Sequence, residues 1–169
     1  MLAPFFGFLW CFSRVFVRTP AGRQRLNVLG ALNAISKELV CVINDNVVNA
    51  ETVRELLDKI AMQMVPGVAV TVILDNARYQ HCNYVTEYAV SLGIELLFLP
   101  PYSPNLNLIE RLWKFIKKTC LNSIYYSDFK SFRKAITQCI DDLPTVHQAS
   151  LSQLLTLRFQ TFEYLKVSA

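Results

Sequence analysis

Histidine is scarce throughout this chain, and acid is missing from its first quarter. Of 169 residues only His81 and His147 are histidines, and no Asp or Glu occurs before Glu38. Five cysteines (Cys11, Cys41, Cys82, Cys120, Cys139) are scattered, with no CxxC pair. That pattern argues against a zinc site and against a disulfide framework, and it fits reduced thiols. Charge is also sparse, at 18% against 53% apolar residues, which excludes a disordered chain. No low-complexity tract or internal repeat is present. The run Leu2–Trp10, extended by Phe12, Val15, Phe16 and Val17, is too short to cross a bilayer and is broken by Arg14 and Arg18. No positive residue precedes it and no small-residue cleavage site follows, so it is expected to be buried protein rather than a signal peptide. What remains is one α/β-sized domain with a net charge of +4, which suits a polyanionic partner without specifying one.

Hydrophobic spacing orders the elements. Arg25 to Leu32 and Glu38 to Ile43 read as a hairpin closed by Asn33 to Lys37, and Asn44-Asp45-Asn46 ends it. Asn49 caps a helix to Met64, with Val53, Leu56, Leu57 and Ile60 on one face. Val68 to Leu74 reads as a strand covered on both faces, Tyr79 to Leu92 as a helix ended by Gly93, and Ile94 to Leu99 as a second buried strand. This βαβ unit makes the two strands parallel. A helix opens at Asn105 or Asn107 and runs to about Leu121. Ile109, Leu112, Trp113 and Ile116 form its apolar stripe, and Arg111, Lys114, Lys117 and Lys118 its wet basic face. Helices over Asp128 to Ile140 and Gln148 to Leu165 follow. The order predicts an α/β domain with a mixed sheet flanked by helices.

Ligand sites in open α/β sheets lie beyond the carboxyl ends of the strands. Asp75 stands there, and the loop Pro100 to Asn107 returns the chain so that Glu110, in the first turn of the next helix, converges on the same edge. Hard divalent cations take carboxylate oxygens, and a pair of such ions can drive phosphoryl transfer. Each residue also has a plainer reading: Asp75-Asn76 as a turn, and Glu110 as the partner of Asn107 in a capping box.

Two segments carry a resemblance. Ile73-Leu74-Asp75-Asn76-Ala77-Arg78-Tyr79, and Leu97-Phe98-Leu99-Pro100-Pro101-Tyr102-Ser103-Pro104-Asn105-Leu106-Asn107-Leu108-Ile109-Glu110-Arg111-Leu112-Trp113-Lys114, resemble the DDE transposases of the mariner-like superfamily, in its bacterial insertion-sequence branch. The 34 residues between Asp75 and Glu110 match that group's spacing, and Arg23 to Ala34 matches its hairpin region. The likeness covers nearly the whole chain. It implies a ribonuclease-H-like fold that cuts and joins DNA with two Mg²⁺ or Mn²⁺ ions. Asp75 and Glu110 would be its second and third acids, serving as catalytic residues and metal ligands, with Asn76 orienting Asp75.

The family's first acid, on a central strand, would fall ahead of Met1, so the chain is expected to lack that strand. It is then inactive, dependent on an N-terminal part, or a non-catalytic fragment that modulates full-length transposase. Asp45 would lie two strands away from the first acid's place, roughly 10 Å off, too far to replace it. DNA, as transposon ends and target, is the implied partner, with a second copy or full-length transposase possible, no membrane, and a bacterial cytoplasmic, nucleoid-associated location. Arg23, Arg25, Arg111, Lys114, Lys117 and Lys118 are candidate DNA contacts. Residues 1–125 would form the catalytic core and 126–169 a helical extension of it.

Overall fold

The computed structural model describes residues 12–13, 24–101, 103, 106–122 and 124–159. The run Leu2–Trp10 and the arginines Arg14, Arg18 and Arg23 lie outside them. Strands β1 (Asn27–Leu32) and β2 (Leu39–Asn44) form the expected antiparallel hairpin, in register from Asn27 opposite Asn44 to Leu32 opposite Leu39. Its turn is built by Asn33, whose Oδ1 accepts from the N–H groups of Ile35 at 2.8 Å and Ser36 at 3.0 Å. Alternation along the strands divides their side chains between two cores. Val28, Leu32, Leu39, Cys41 and Ile43 face one, and Leu29 faces the other.

Helix α1 (Ala50–Ala61) covers the Leu29 face with Val53, Leu56 and Leu57. It begins as the sequence indicated. The Asn49 side chain accepts from Thr52 N–H at 3.0 Å, and the Thr52 hydroxyl answers the Asn49 N–H, satisfying two otherwise orphan donors. The Lys59 ammonium reaches back to the Cys41 carbonyl at 3.1 Å and so fastens the helix to β2.

Strands β3 (Val70–Leu74) and β4 (Ile94–Phe98) pair in parallel, from Val70 opposite Ile94 to Leu74 opposite Phe98. The connecting segment differs from the single helix expected over Tyr79 to Leu92. Arg78–Gln80 is one 3₁₀ turn, closed by the Gln80 side chain accepting from Ala77 N–H at 3.3 Å, and α2 (Asn83–Ser91) starts afresh after an extended Cys82. Gly93 ends α2 at φ 72°, the left-handed conformation that glycine adopts without a Cβ penalty.

Coverage of β3 and β4 on both faces is not observed. Val72, Ile94 and Leu96 pack toward α1 and α2, whereas Ile73 and Leu97 are 53% and 51% exposed. The physical reason is that α1 and α2 lie on one side only, and among the described residues nothing lies on the other. The mixed strand set is therefore present as two pairs, one antiparallel and one parallel, without hydrogen bonds between them.

Helix α3 (Leu108–Cys120) packs on the opposite hairpin face with Leu112 and Ile116 fully buried. An added Cβ on Gly30 would stand 3.0 Å from Leu39 Cδ1 and from two carbons of the Trp113 ring, so the glycine admits the indole. Trp113 is thus part of the core. Helix α4 (Phe129–Asp141), capped by Asp128, and α5 (Gln148–Leu154) complete this core through Phe132, Ile136, Cys139 and Leu151. Helix α5 stops well short of Leu165. The carbonyls of Leu154, Thr156 and Arg158 turn to the Arg111 guanidinium instead of to a further helical turn.

Candidate metal and nucleic-acid site

Asp75 follows β3 directly, one residue beyond the last ladder bond, in which Leu99 N–H donates to the Leu74 carbonyl at 2.9 Å. Its side chain is exposed. The Asn107 amide donates to Asp75 Oδ1 at 2.6 Å. Asn107 is also the N-cap of α3: its own Oδ1 accepts from Ile109 N–H at 3.3 Å, and its carbonyl from Glu110 N–H at 3.2 Å. Asp75 is thereby tied to the first turn of the helix that carries half-buried Glu110. That link is the hydrogen bond between the strand end that bears Asp75 and the start of α3.

The flank of Asp75 is aromatic. Burial first, and then the nearby Asp75 carboxylate, raise the Tyr79 phenol above its ordinary value. Asn76, expected to orient Asp75, makes its side-chain hydrogen bond to His81 Nε2 instead. His81 is exposed, as its isolation from other ligand residues suggested, and it stacks on Phe98 at a centroid distance of 3.8 Å. The His81 stack and the Asn107 link were both missed by sequence reasoning. Asn107 carried one signal, its place as a helix cap three residues before Glu110, but nothing in that spacing pointed to Asp75.

The basic residues separate into two groups. Lys114, Lys117 and Lys118 are exposed on α3 and form no ion pair among the described residues, as expected of a solvated face. Arg25 is exposed beside the hairpin. Arg111 is not on that solvated face. Its guanidinium donates to the carbonyls of Thr156 at 2.8 Å and Arg158 at 2.7 Å, and lies 5.2 Å from the Phe159 ring centre. Asp45 lies 3.9 Å from the Arg133 guanidinium on α4. Tyr102, Pro104 and Asn105 of the motif loop are outside the described residues.

The donor chemistry fits a hard cation. Asn107 takes one oxygen of Asp75, neither Asp75 nor Glu110 is in a salt bridge among the described residues, and no sulfur or imidazole joins them. An all-oxygen set of this kind suits Mg²⁺ or Mn²⁺ rather than zinc. Among the described residues no group of three or more His, Cys, Asp or Glu side chains gathers. Nor is any described helix long and apolar enough to cross a membrane.

A hairpin flanked by helices on both faces, followed by a parallel βαβ unit with Asp75 just beyond a strand end, has the architecture of a ribonuclease-H-like domain. Residues 13–133 match the family described as DDE superfamily endonuclease, and the chain belongs to that family. An uncharacterized protein of Sinorhizobium fredii is 30% identical over 91 residues, which are 54% of this chain and 63% of that protein. The fold is similar to Mos1 transposase in its paired-end complex with the left transposon end, at a TM-score of 0.57 and 15% identity, covering 91% of this chain and 51% of that one. A second likeness is to the Mos1 strand transfer complex, at 0.51 and 16%, covering 93% and 50%. The chain therefore spans about half the length of the transposase it resembles and less than two thirds of its curated relative.

Proposed function

We propose that the chain is the catalytic domain of a DNA transposase that cleaves and joins DNA strands at Asp75 and Glu110. The observation that carries this reading is the Asn107 link, which couples a strand-end aspartate to the acid-bearing helix in a chain of the DDE endonuclease family. Asp75 and Glu110 would hold divalent cations, Mg²⁺ or Mn²⁺, which when bound supply electrostatic stabilisation of a phosphodiester under attack.

The chain's own residues do the rest. Glu110 lies in the first turn of α3, at the helix end whose exposed N–H groups present partial positive charge. Lys114 and Lys117 follow it at i+4 and i+7, so they share its face of the helix, and Lys118 stands beside them. At 1.5 Å rise per residue this row extends about 10 Å from the acid, enough to meet successive phosphates of one strand. DNA is thus the proposed partner, both as transposon end and as target, and residues 126–169 are proposed to extend the core rather than form a separate domain. Asn76 would act on Asp75 only indirectly, by holding the turn after β3 through its bond to His81.

The test is Mg²⁺- or Mn²⁺-dependent nicking of DNA by this chain and by Asp75→Ala. Activity lost in the variant supports the reading, and equal activity in both overturns it. The competing reading is a non-catalytic fragment that modulates a full-length transposase. Co-purification with a full-length transposase, without cation-dependent cleavage, would select it.

A further inference from the structure

We infer that Asn107 is a positioning residue for the Asp75 carboxylate, setting it for a divalent cation through the same side chain that caps α3. This rests on the reading of Asp75 and Glu110 as cation ligands. Asp75 is exposed on the turn after β3, and among the described residues Asn107 alone donates to it. Without that bond the carboxylate would turn freely about its side-chain torsions, and ordering it would be charged against cation binding.

Asn107 is itself tied to the helix start, because its Oδ1 and its carbonyl receive the Ile109 and Glu110 N–H groups. The residue type matters. An amide accepts at the cap through its oxygen and at the same time donates to the acid through its nitrogen; an aspartate has no proton to give, and the one hydroxyl proton of a serine stands one bond closer to the backbone, short of the Asp75 oxygen that the amide nitrogen meets at 2.6 Å. The amide is also neutral. A lysine or arginine in its place would offset the Asp75 charge that attracts the cation. Only one oxygen of Asp75 is engaged, which leaves the other for a ligand.

The experiment compares the parent chain with Asn107→Ala, Asn107→Ser and Asp75→Ala, reading Mn²⁺ affinity by titration calorimetry and the thermal unfolding midpoint without metal. Outer hydrogen-bond partners of metal ligands are commonly worth 10–100-fold in affinity. Both Asn107 variants are therefore expected to bind Mn²⁺ about 10-fold more weakly, at the low end of that range. Asn107→Ala should also melt earlier, whereas Asn107→Ser should recover the parent midpoint through its cap but not the affinity. Recovery of affinity together with the midpoint in Asn107→Ser would show that Asn107 acts only as a cap, and would overturn the inference while leaving the site intact. Equal Mn²⁺ binding by parent and Asp75→Ala would overturn the site reading, and this inference with it.

Discussion

At the scale of single residues, the tightest steric demand falls on Gly30. A methyl group there meets the Trp113 ring and Leu39 at 3.0 Å, and both neighbours are held by the α3 core. Gly30→Ala is expected to destabilise the chain by about 1–3 kcal/mol, the usual cost of overpacking, in a chemical denaturation curve. An unchanged midpoint would mean that the indole moves aside freely. Residue positions were legible in the sequence where local neighbours sufficed to specify them. Asp75 follows an apolar β-branched run, and Glu110 opens an amphipathic helix, so each acid was placed by its own neighbours. Asn107 and His81 were not legible in this way. Their contacts, to Asp75 and to Phe98, join residues 32 and 17 positions apart, and a local pattern carries no such pairing.

At the scale of elements, helix ends carry measurable energy. Asn49→Ala removes one half of a reciprocal cap and is expected to cost about 1 kcal/mol in stability. Asp128 caps α4 differently, as an anion. The Ser131 N–H first, then its hydroxyl, hold the Asp128 carboxyl below its ordinary range. A carboxylate with a lowered folded pKa stabilises the fold above its unfolded pKa, and that contribution disappears as pH falls through the folded value. Asp128→Asn should therefore flatten the acid limb of a stability-versus-pH curve below about pH 4, with little change at neutrality. An acid limb as steep as the parent's would assign the effect to other carboxylates. Elements were read well from periodicity, including the hairpin, α1 and the parallel pair. Two failures have physical causes. Gln80 closes a turn that breaks the expected helix in two, and Arg111 captures three carbonyls that would otherwise have prolonged α5. Both are side-chain-to-backbone bonds that compete with helix propagation, and hydrophobic periodicity does not register them.

At the scale of the whole molecule, the hairpin lies between two cores, while among the described residues the parallel pair is covered on one side. Ile73 and Leu97 leave an apolar face in water, and replacing both with threonine removes that exposure without altering either core. The doubly substituted chain should bind less of a hydrophobic dye and stay monomeric to higher concentration in light scattering, with its unfolding midpoint nearly unchanged. Dye binding equal to the parent's would place the sticky surface elsewhere. The fold class was legible because strand, helix, strand spacing restricts topology strongly. One-sided coverage was not, since an apolar run looks the same whether or not a neighbour covers it. The Arg111 clamp also has a consequence for how the proposed DNA complex responds to salt. A guanidinium pinned to three peptide oxygens keeps its charge but is not free to turn to a phosphate, so α3 offers three cations for phosphate contacts and not four. Each of Lys114, Lys117 and Lys118 should then contribute about 0.9 to the slope of log affinity against log salt, while Arg111→Ala leaves that slope where it was.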